Sequence, residues 1–276
     1  MTQVWTDGQP WTDANPWTDE YLERELASMQ HLAPYDDGRL VLIPDKHRPF
    51  TDGPIRCYMR SDLVEWGPFP LLGERNPAPM DDLVWMSITP MEIESQYMPI
   101  ALAEGCVGIG GLGLGYATQR ILSKPNVDRV TVFEVNPRII ALFQQNFPEQ
   151  ADDPRLEISE QDVGTVQGKS FDVFFNDVYA RMLEDLTFEH WRVLIERNEI
   201  GVYHPWGLEA MLMSFVRYDA RNDVPFGLRY TYFPFLKQLL AAITEGHGAF
   251  SDDYIPPLEL ARKDAIALGY DVWPVD

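Results

Sequence analysis

The tightest constraint on this chain is a glycine cluster. Five glycines occupy the eight positions from Gly108 to Gly115, between an apolar run at Pro99 to Leu102 and a helical pattern at Tyr116 to Leu122. Glycine is required where the backbone turns sharply or where a ligand must touch main chain with no Cβ in the way. A glycine-rich turn between a strand and a helix is where doubly wound α/β sheets hold nucleotide-type ligands. A tight turn packed on a helix asks for the same residues, so the segments C-terminal to the cluster decide its meaning.

Those segments alternate between strand and helix. Val107 to Gly110 reads as a strand, with Tyr116 to Ser123 as its helix. Arg129 to Glu134 is apolar almost throughout, as a strand buried on both faces should be. Pro137 suits a first helical turn, and Ile139, Ile140, Leu142 and Phe143 supply a buried side. Arg155 to Ile158, Phe171 to Phe175 and Ile200 to Tyr203 read as three more strands, with a helix at Phe188 to Arg197. This pattern predicts a Rossmann-like, doubly wound and mostly parallel α/β sheet with helices on both faces.

Ligands of such a sheet sit at the carboxyl ends of its strands. Gly111, Gly113 and Gly115 end the first strand, Glu134 ends the second, Asp162 comes after the third and Asp177 ends the fourth. Glu134 comes 19 residues after Gly115, placed to accept hydrogen bonds from both hydroxyls of a ribose. Asp162 suits an exocyclic adenine amine, and Asp177 suits a cationic group or a nucleophile's proton. Each carboxylate taken singly has a plainer reading as a helix cap or a solvated loop residue. Three of them on the rim that holds the glycine turn point to one site, with bare main chain above Gly113. His204, in the segment Tyr203-His-Pro-Trp206 that closes the fifth strand, is the next candidate for proton transfer. His190 reads as a packing or surface residue of its helix. Tyr179, Tyr203 and Trp206 suit either a substrate wall or a cover for the sheet edge.

The remainder of the chain frames this sheet. Residues 1–19 repeat Trp-Thr-Asp three times, at Trp5, Trp11 and Trp17, with Pro10 and Pro16 between them. That spacing fits no single helical face, so an extended arm is expected, packing on its own domain or joining two copies of the chain. Residues 20–90 read as a helix at Glu20 to Gln30 and then a small antiparallel unit built from Leu40 to Ile43, Ile55 to Met59 and Leu83 to Ile88. Pro90 to Leu102 reads as one helix leading into the glycine turn. Residues 91–276 are expected to form the Rossmann-like nucleotide-binding domain. Past Trp206, helices are expected at Glu209 to Tyr218, Phe235 to Thr244 and Pro257 to Ala267, with an edge strand at Tyr270 to Pro274.

Composition narrows the function classes. With 22 basic against 43 acidic residues the formal charge is −21, which repels phosphate backbones and anionic membranes. No apolar run reaches membrane-spanning length. Two cysteines without metal-ligand spacing, Cys57 and Cys106, and no signal peptide fit a reducing cytoplasm and exclude a metal centre of the cysteine type.

These segments resemble a known family. Val107-Gly-Ile-Gly-Gly-Leu-Gly-Leu-Gly115, Val130-Thr-Val-Phe-Glu-Val-Asn136, Asp153-Pro-Arg-Leu156 with Gln161-Asp162, and Phe171-Asp-Val-Phe-Phe-Asn-Asp177 come in the order and spacing of class I S-adenosylmethionine-dependent methyltransferases. The look is that of the spermidine-synthase-like branch, over roughly residues 100 to 205. The resemblance implies S-adenosyl-L-methionine as cofactor. It implies a contact set of Gly111, Leu112, Gly113, Gly115, Glu134, Val135, Asp162, Val163 and Asp177. The glycines would lie under the methionine part, Glu134 at the ribose, Asp162 at the adenine and Asp177 at the catalytic position. The implied activity is methyl transfer to a small molecule or a protein side chain.

There are departures. Polyamine-forming members carry an aspartate in the glycine turn where this chain has Leu114, and a proline-rich acidic segment where it has Val178-Tyr-Ala-Arg181. The Asn/Asp-Pro-Pro-Tyr motif of base-amine methyltransferases is absent from Asn176-Asp-Val-Tyr179, and Ile109 stands where many methyltransferases have an acidic residue. Aminopropyl transfer and a non-catalytic assembly role therefore stay as alternatives. A dinucleotide reading of Gly108-Ile-Gly-Gly-Leu-Gly113 is weaker, because Gly108 falls inside the strand.

Overall fold

The computed structural model describes residues 19–46, 55–56, 63–64, 68–75, 83–179 and 185–208. The tryptophan arm and the elements expected past Trp206 lie outside the described residues. A helix, α1 (Asp19–Ala27), precedes strands β1 (Tyr35–Asp36), β2 (Leu40–Lys46), β3 (Ile55–Arg56), β4 (Leu63–Val64), β5 (Phe69–Glu74) and β6 (Leu83–Ser87). Four of these form an antiparallel sheet in the order β1-β2-β5-β6, and β3 pairs with β4. β5 is hidden in the sequence because Pro70 and Gly73 resemble turn punctuation. The ladder to β2 is irregular between Ile43 and Lys46, opposite Pro70, so the missing proline N–H faces a break in the pairing.

Two helices, α2 (Pro90–Ser95) and α3 (Tyr97–Leu102), replace the single helix expected over this stretch. Pro99 explains the break. It lacks the N–H that a continuous helix needs four residues after Ser95, whereas in the first turn of a new helix that group has no partner anyway. Gln96 stands at the joint with φ −106° and ψ 0°. Thr89 caps α2, its hydroxyl accepting the Glu92 N–H at 3.4 Å.

The remaining elements are β7 (Gly105–Gly110), α4 (Tyr116–Leu122), β8 (Val127–Phe133), α5 (Pro137–Asn146), α6 (Pro148–Ala151), β9 (Leu156–Ser159), β10 (Ser170–Asn176), α7 (Asp185–Arg197) and β11 (Glu199–Pro205). Their sheet runs β11-β10-β7-β8-β9, with parallel pairing throughout. The first strand in the sequence is central, and the order reverses between β7 and β10, which is the Rossmann-like arrangement. Sheets of this kind hold their ligands in the crevice beyond the strand ends at that reversal.

Two apolar clusters cover the sheet. One joins Val107, Ile109, Val130 and Val132 to α4, α5 and the residues of the N-terminal unit, including Leu22, Met29 and Leu40, so the two regions share one core. The other gathers Phe133, Phe171, Phe174, Leu194 and Tyr203 on the opposite face. Gly108 belongs to this packing, since a Cβ there would run into the Phe174 ring. A buried charge cluster adds a second tie. Glu25 is 1% exposed and meets Arg120 at 2.5 Å and the Tyr116 hydroxyl at 3.0 Å, joining α1 to α4.

Candidate active site

The glycine turn leaves β7 with Gly111 at φ 87° and enters α4 through Gly115 at φ 81°. L-residues rarely adopt such values. A Cβ on Gly111 would also collide with the Asp177 carbonyl oxygen, so the turn and the end of β10 pass in main-chain contact. The Asp177 N–H donates to the Gly110 carbonyl at 2.8 Å, which extends the β7–β10 ladder by one rung and fixes where Asp177 emerges.

Above this junction lies a cavity of about 590 Å³. Gly111, Leu112, Gly113, Glu134, Val135, Asp162, Val163 and Asp177 all line it. Gly115 does not, which corrects its expected place under a ligand. A Cβ there would lie 2.5 Å from the Phe143 ring, so its glycine serves the packing of α4 on α5. His204 does not line the cavity either. It is fully buried against Phe175 at 5.9 Å between ring centroids, which places it in the core instead of at a proton-transfer position.

The carboxylates fall into two kinds. Glu134 accepts the Leu112 N–H at 3.0 Å and the Asn136 N–H at 2.8 Å, and so ties the glycine turn to the loop after β8. Asp162 accepts the Gly164 N–H at 2.8 Å and caps the short 3₁₀ turn Val163–Thr165. Each oxygen has a second lone pair, so these anchored groups still have capacity to accept from a ligand.

Asp177 is different. Among the described residues its Oδ2 accepts one long bond, 3.4 Å, from the Gln96 amide, and burial pushes its carboxyl up to about 7. The same amide nitrogen lies 3.5 Å from Glu92. Burial pushes the Glu92 carboxyl well above the usual range, and the nearby Asp177 charge adds to that. Gln96 is 1% exposed, and its Oε1 has no hydrogen-bond partner among the described residues. Glu92, Gln96 and Asp177 all line the cavity, so its wall holds a half-buried pair of carboxyls joined by one amide.

Neither Glu92 nor Gln96 stands out in the sequence. Their i, i+4 spacing puts them on one helical face, but a carboxylate in a first helical turn reads as ordinary dipole complement. His190 also has a different place from the one expected. It lines the cavity beside Leu186, again at i, i+4, with Nδ1 3.4 Å from the Tyr179 hydroxyl, and burial pulls its pKa down. Tyr179 and Trp206 are wall residues, while Tyr203 belongs to the second core, its hydroxyl accepting from Asn176 at 3.0 Å. Burial pushes the Tyr203 phenol up to about 12.

The main chain above Gly113 is not bare as expected. Met86 covers it, with Sδ accepting the Leu114 N–H at 3.1 Å. The cavity lies alongside this thioether, and Met86 is part of its wall.

No family model matches the chain, and no curated protein matches it in sequence. Among solved structures it is similar to spermidine synthase from Thermotoga maritima, at 20% identity over 48% of this chain and 50% of that one, with a TM-score of 0.33. The N-methyltransferase NodS from Bradyrhizobium japonicum is similar at 21% identity over 41% of this chain and 65% of that one, TM-score 0.32. An rRNA methylase from Streptococcus thermophilus is similar at 14% identity over 41% of this chain and 67% of that one, TM-score 0.31. The chain thus spans about half the length of the first of these. Such likenesses are distant and partial, and the assignment of the fold rests on strand order and the glycine turn. No helix among the described residues is long and apolar enough to cross a membrane.

Proposed function

We propose that the chain is a transferase that takes S-adenosyl-L-methionine as donor and passes its methyl group to a nucleophile on a small molecule or a protein side chain. The observation that carries this reading is that one cavity at the reversal of strand order joins the glycine turn, Glu134 and Asp162 to the raised carboxyls of Asp177 and Glu92.

The donor set fits an adenosyl sulfonium. Glu134 and Asp162 offer acceptor oxygens to ribose hydroxyls and an adenine amine, and Val135 and Val163 offer apolar edges beside them. The sulfonium supplies an electrophilic carbon that a nucleophile displaces in line. What the chain does is align the two partners and handle the proton. Asp177 accepts the proton that the nucleophile loses, and a carboxyl titrating near 7 is matched to that task. Glu92 and Asp177 together suit an acceptor that arrives positively charged, because a cation relieves two half-buried, raised carboxyls at once.

That same carboxyl pair favours a second reading, transfer of an aminopropyl group from the decarboxylated donor, whose ammonium would sit between Glu92 and Asp177. A non-catalytic assembly role is the reading that absence of ligand binding would favour.

Calorimetric titration with S-adenosylmethionine and the decarboxylated donor separates the three. Methyl transfer expects sub-millimolar binding of the first, aminopropyl transfer a preference for the second, and assembly neither. A turnover screen with donor labelled on the methyl group then finds the acceptor.

A further inference from the structure

β6 carries an irregularity that reshapes the cavity. Leu72 of β5 pairs with Met86, but the next residue, Gly73, pairs with Val84, so Trp85 is an extra residue in the strand. Regular alternation would send Trp85 and Met86 to opposite faces. A bulge bends the strand and re-aims its side chains. Here Val84, Trp85 and Met86 all border the cavity, and Trp85 remains 43% exposed at its edge.

Met86 goes further than bordering. Its sulfur accepts the Leu114 N–H, and it lies 2.6 Å from where a Gly113 Cβ would be. A thioether is a weak acceptor, whereas a carboxylate oxygen forms a charge-assisted bond with the same N–H. The turn's donor is therefore capped by a weak acceptor, Met86, which itself stands between Leu114 and the cavity it lines.

We infer that Met86 is a donor-specificity residue: it occupies the glycine-turn N–H that the amino-acid end of an adenosyl ligand would take. This inference rests on the adenosyl-binding reading above. A ligand with a carboxylate at that end must move Met86 aside, and part of its binding energy is lost in doing so. A nucleoside without that end leaves Met86 in place. The residue belongs to the N-terminal sheet, so that sheet, and not the nucleotide fold alone, discriminates among donors.

The test is calorimetric titration of the full chain with two probes, S-adenosylhomocysteine, which carries the amino-acid end, and 5′-methylthioadenosine, which lacks it. Met86→Ala is expected to tighten the first by fivefold or more and to change the second by less than twofold. Met86→Leu keeps the bulk and removes the acceptor, and should shift the ratio in the same direction. It carries the test if the alanine variant fails to fold. An unchanged ratio of the two affinities in the variants overturns the role of Met86 while leaving the adenosyl site intact. Failure of wild-type chain to bind either probe removes the adenosyl reading itself, and this inference with it.

Discussion

Two pairs of carboxylates in the cavity wall use the same functional group in opposite ways. At the glycine turn, Glu134 and Asp162 are held by backbone N–H groups at 2.8–3.0 Å, and they shape loops while facing the cavity. Beyond β10, Glu92 and Asp177 share one amide at 3.4–3.5 Å, and burial raises both. An anchored carboxylate stays in position whatever binds. A poorly satisfied one changes charge or partner when a ligand arrives, and that is what proton handling needs. On the proposed transferase reading, the difference separates a binding part of the cavity from a reacting part.

The largest effect should come from the reacting part. Asp177→Asn is expected to lower kcat/KM by about 10²–10⁴-fold while leaving adenosyl affinity within about threefold. Turnover and calorimetry on the same preparation check this, and a joint loss of both would erase the division between the two parts. In wild type kcat should rise with pH through about 7, as Asp177 loses its proton.

Next comes the binding part. Glu134→Ala removes charge-assisted bonds of about 1.5–3 kcal/mol, so adenosyl affinity should fall roughly 10- to 100-fold. Glu92→Gln should have a smaller effect, raising KM for a cationic acceptor roughly tenfold with donor affinity unchanged. Steady-state kinetics with each substrate varied in turn would expose a shift on the donor side, which contradicts the placement of Glu92.

Folding stability gives a further contrast. The Asp177 carboxyl lies near 7 in the folded chain and near an ordinary value of about 3.9 when unfolded. The folded state therefore keeps a proton that the unfolded state has lost. The stabilisation is complete below about pH 4 and is lost as the pH rises through about 7. Urea titrations across that window should show wild type weakening relative to Asp177→Asn. A constant difference between the two would mean Asp177 titrates normally. The smallest effect belongs outside the cavity's reacting part. Arg39 is 72% exposed in its 2.6 Å pair with Glu74, and Arg39→Ala should leave the urea midpoint almost unchanged.

Much of the binding part is legible in the sequence because its signals are local. Glycines at Gly111 and Gly113, both with positive φ, the apolar run before Glu134 and the proline opening α5 each mark one place in the chain. The reacting part is only half legible: Asp177 is marked by its place at a strand end, but its partner Glu92 comes from a distant segment. Glu92 is an ordinary first-turn carboxylate until the break at Gln96 and the fold bring it to Asp177, 85 residues further on. Met86 reaches Gly113 only through the bulge at Trp85, and no residue pattern announces a bulge. His204 misleads for the same reason. Sequence places it at a strand end, but packing against Phe175 encloses it.

One claim is central: the cavity takes an adenosyl ligand with its ribose at Glu134. Calorimetric titration of S-adenosylhomocysteine into wild type and Glu134→Ala tests it most directly. One ligand per chain with sub-millimolar affinity, weakened at least tenfold by the substitution, is the expected result. No heat of binding below millimolar concentration, or an affinity indifferent to Glu134, would contradict it.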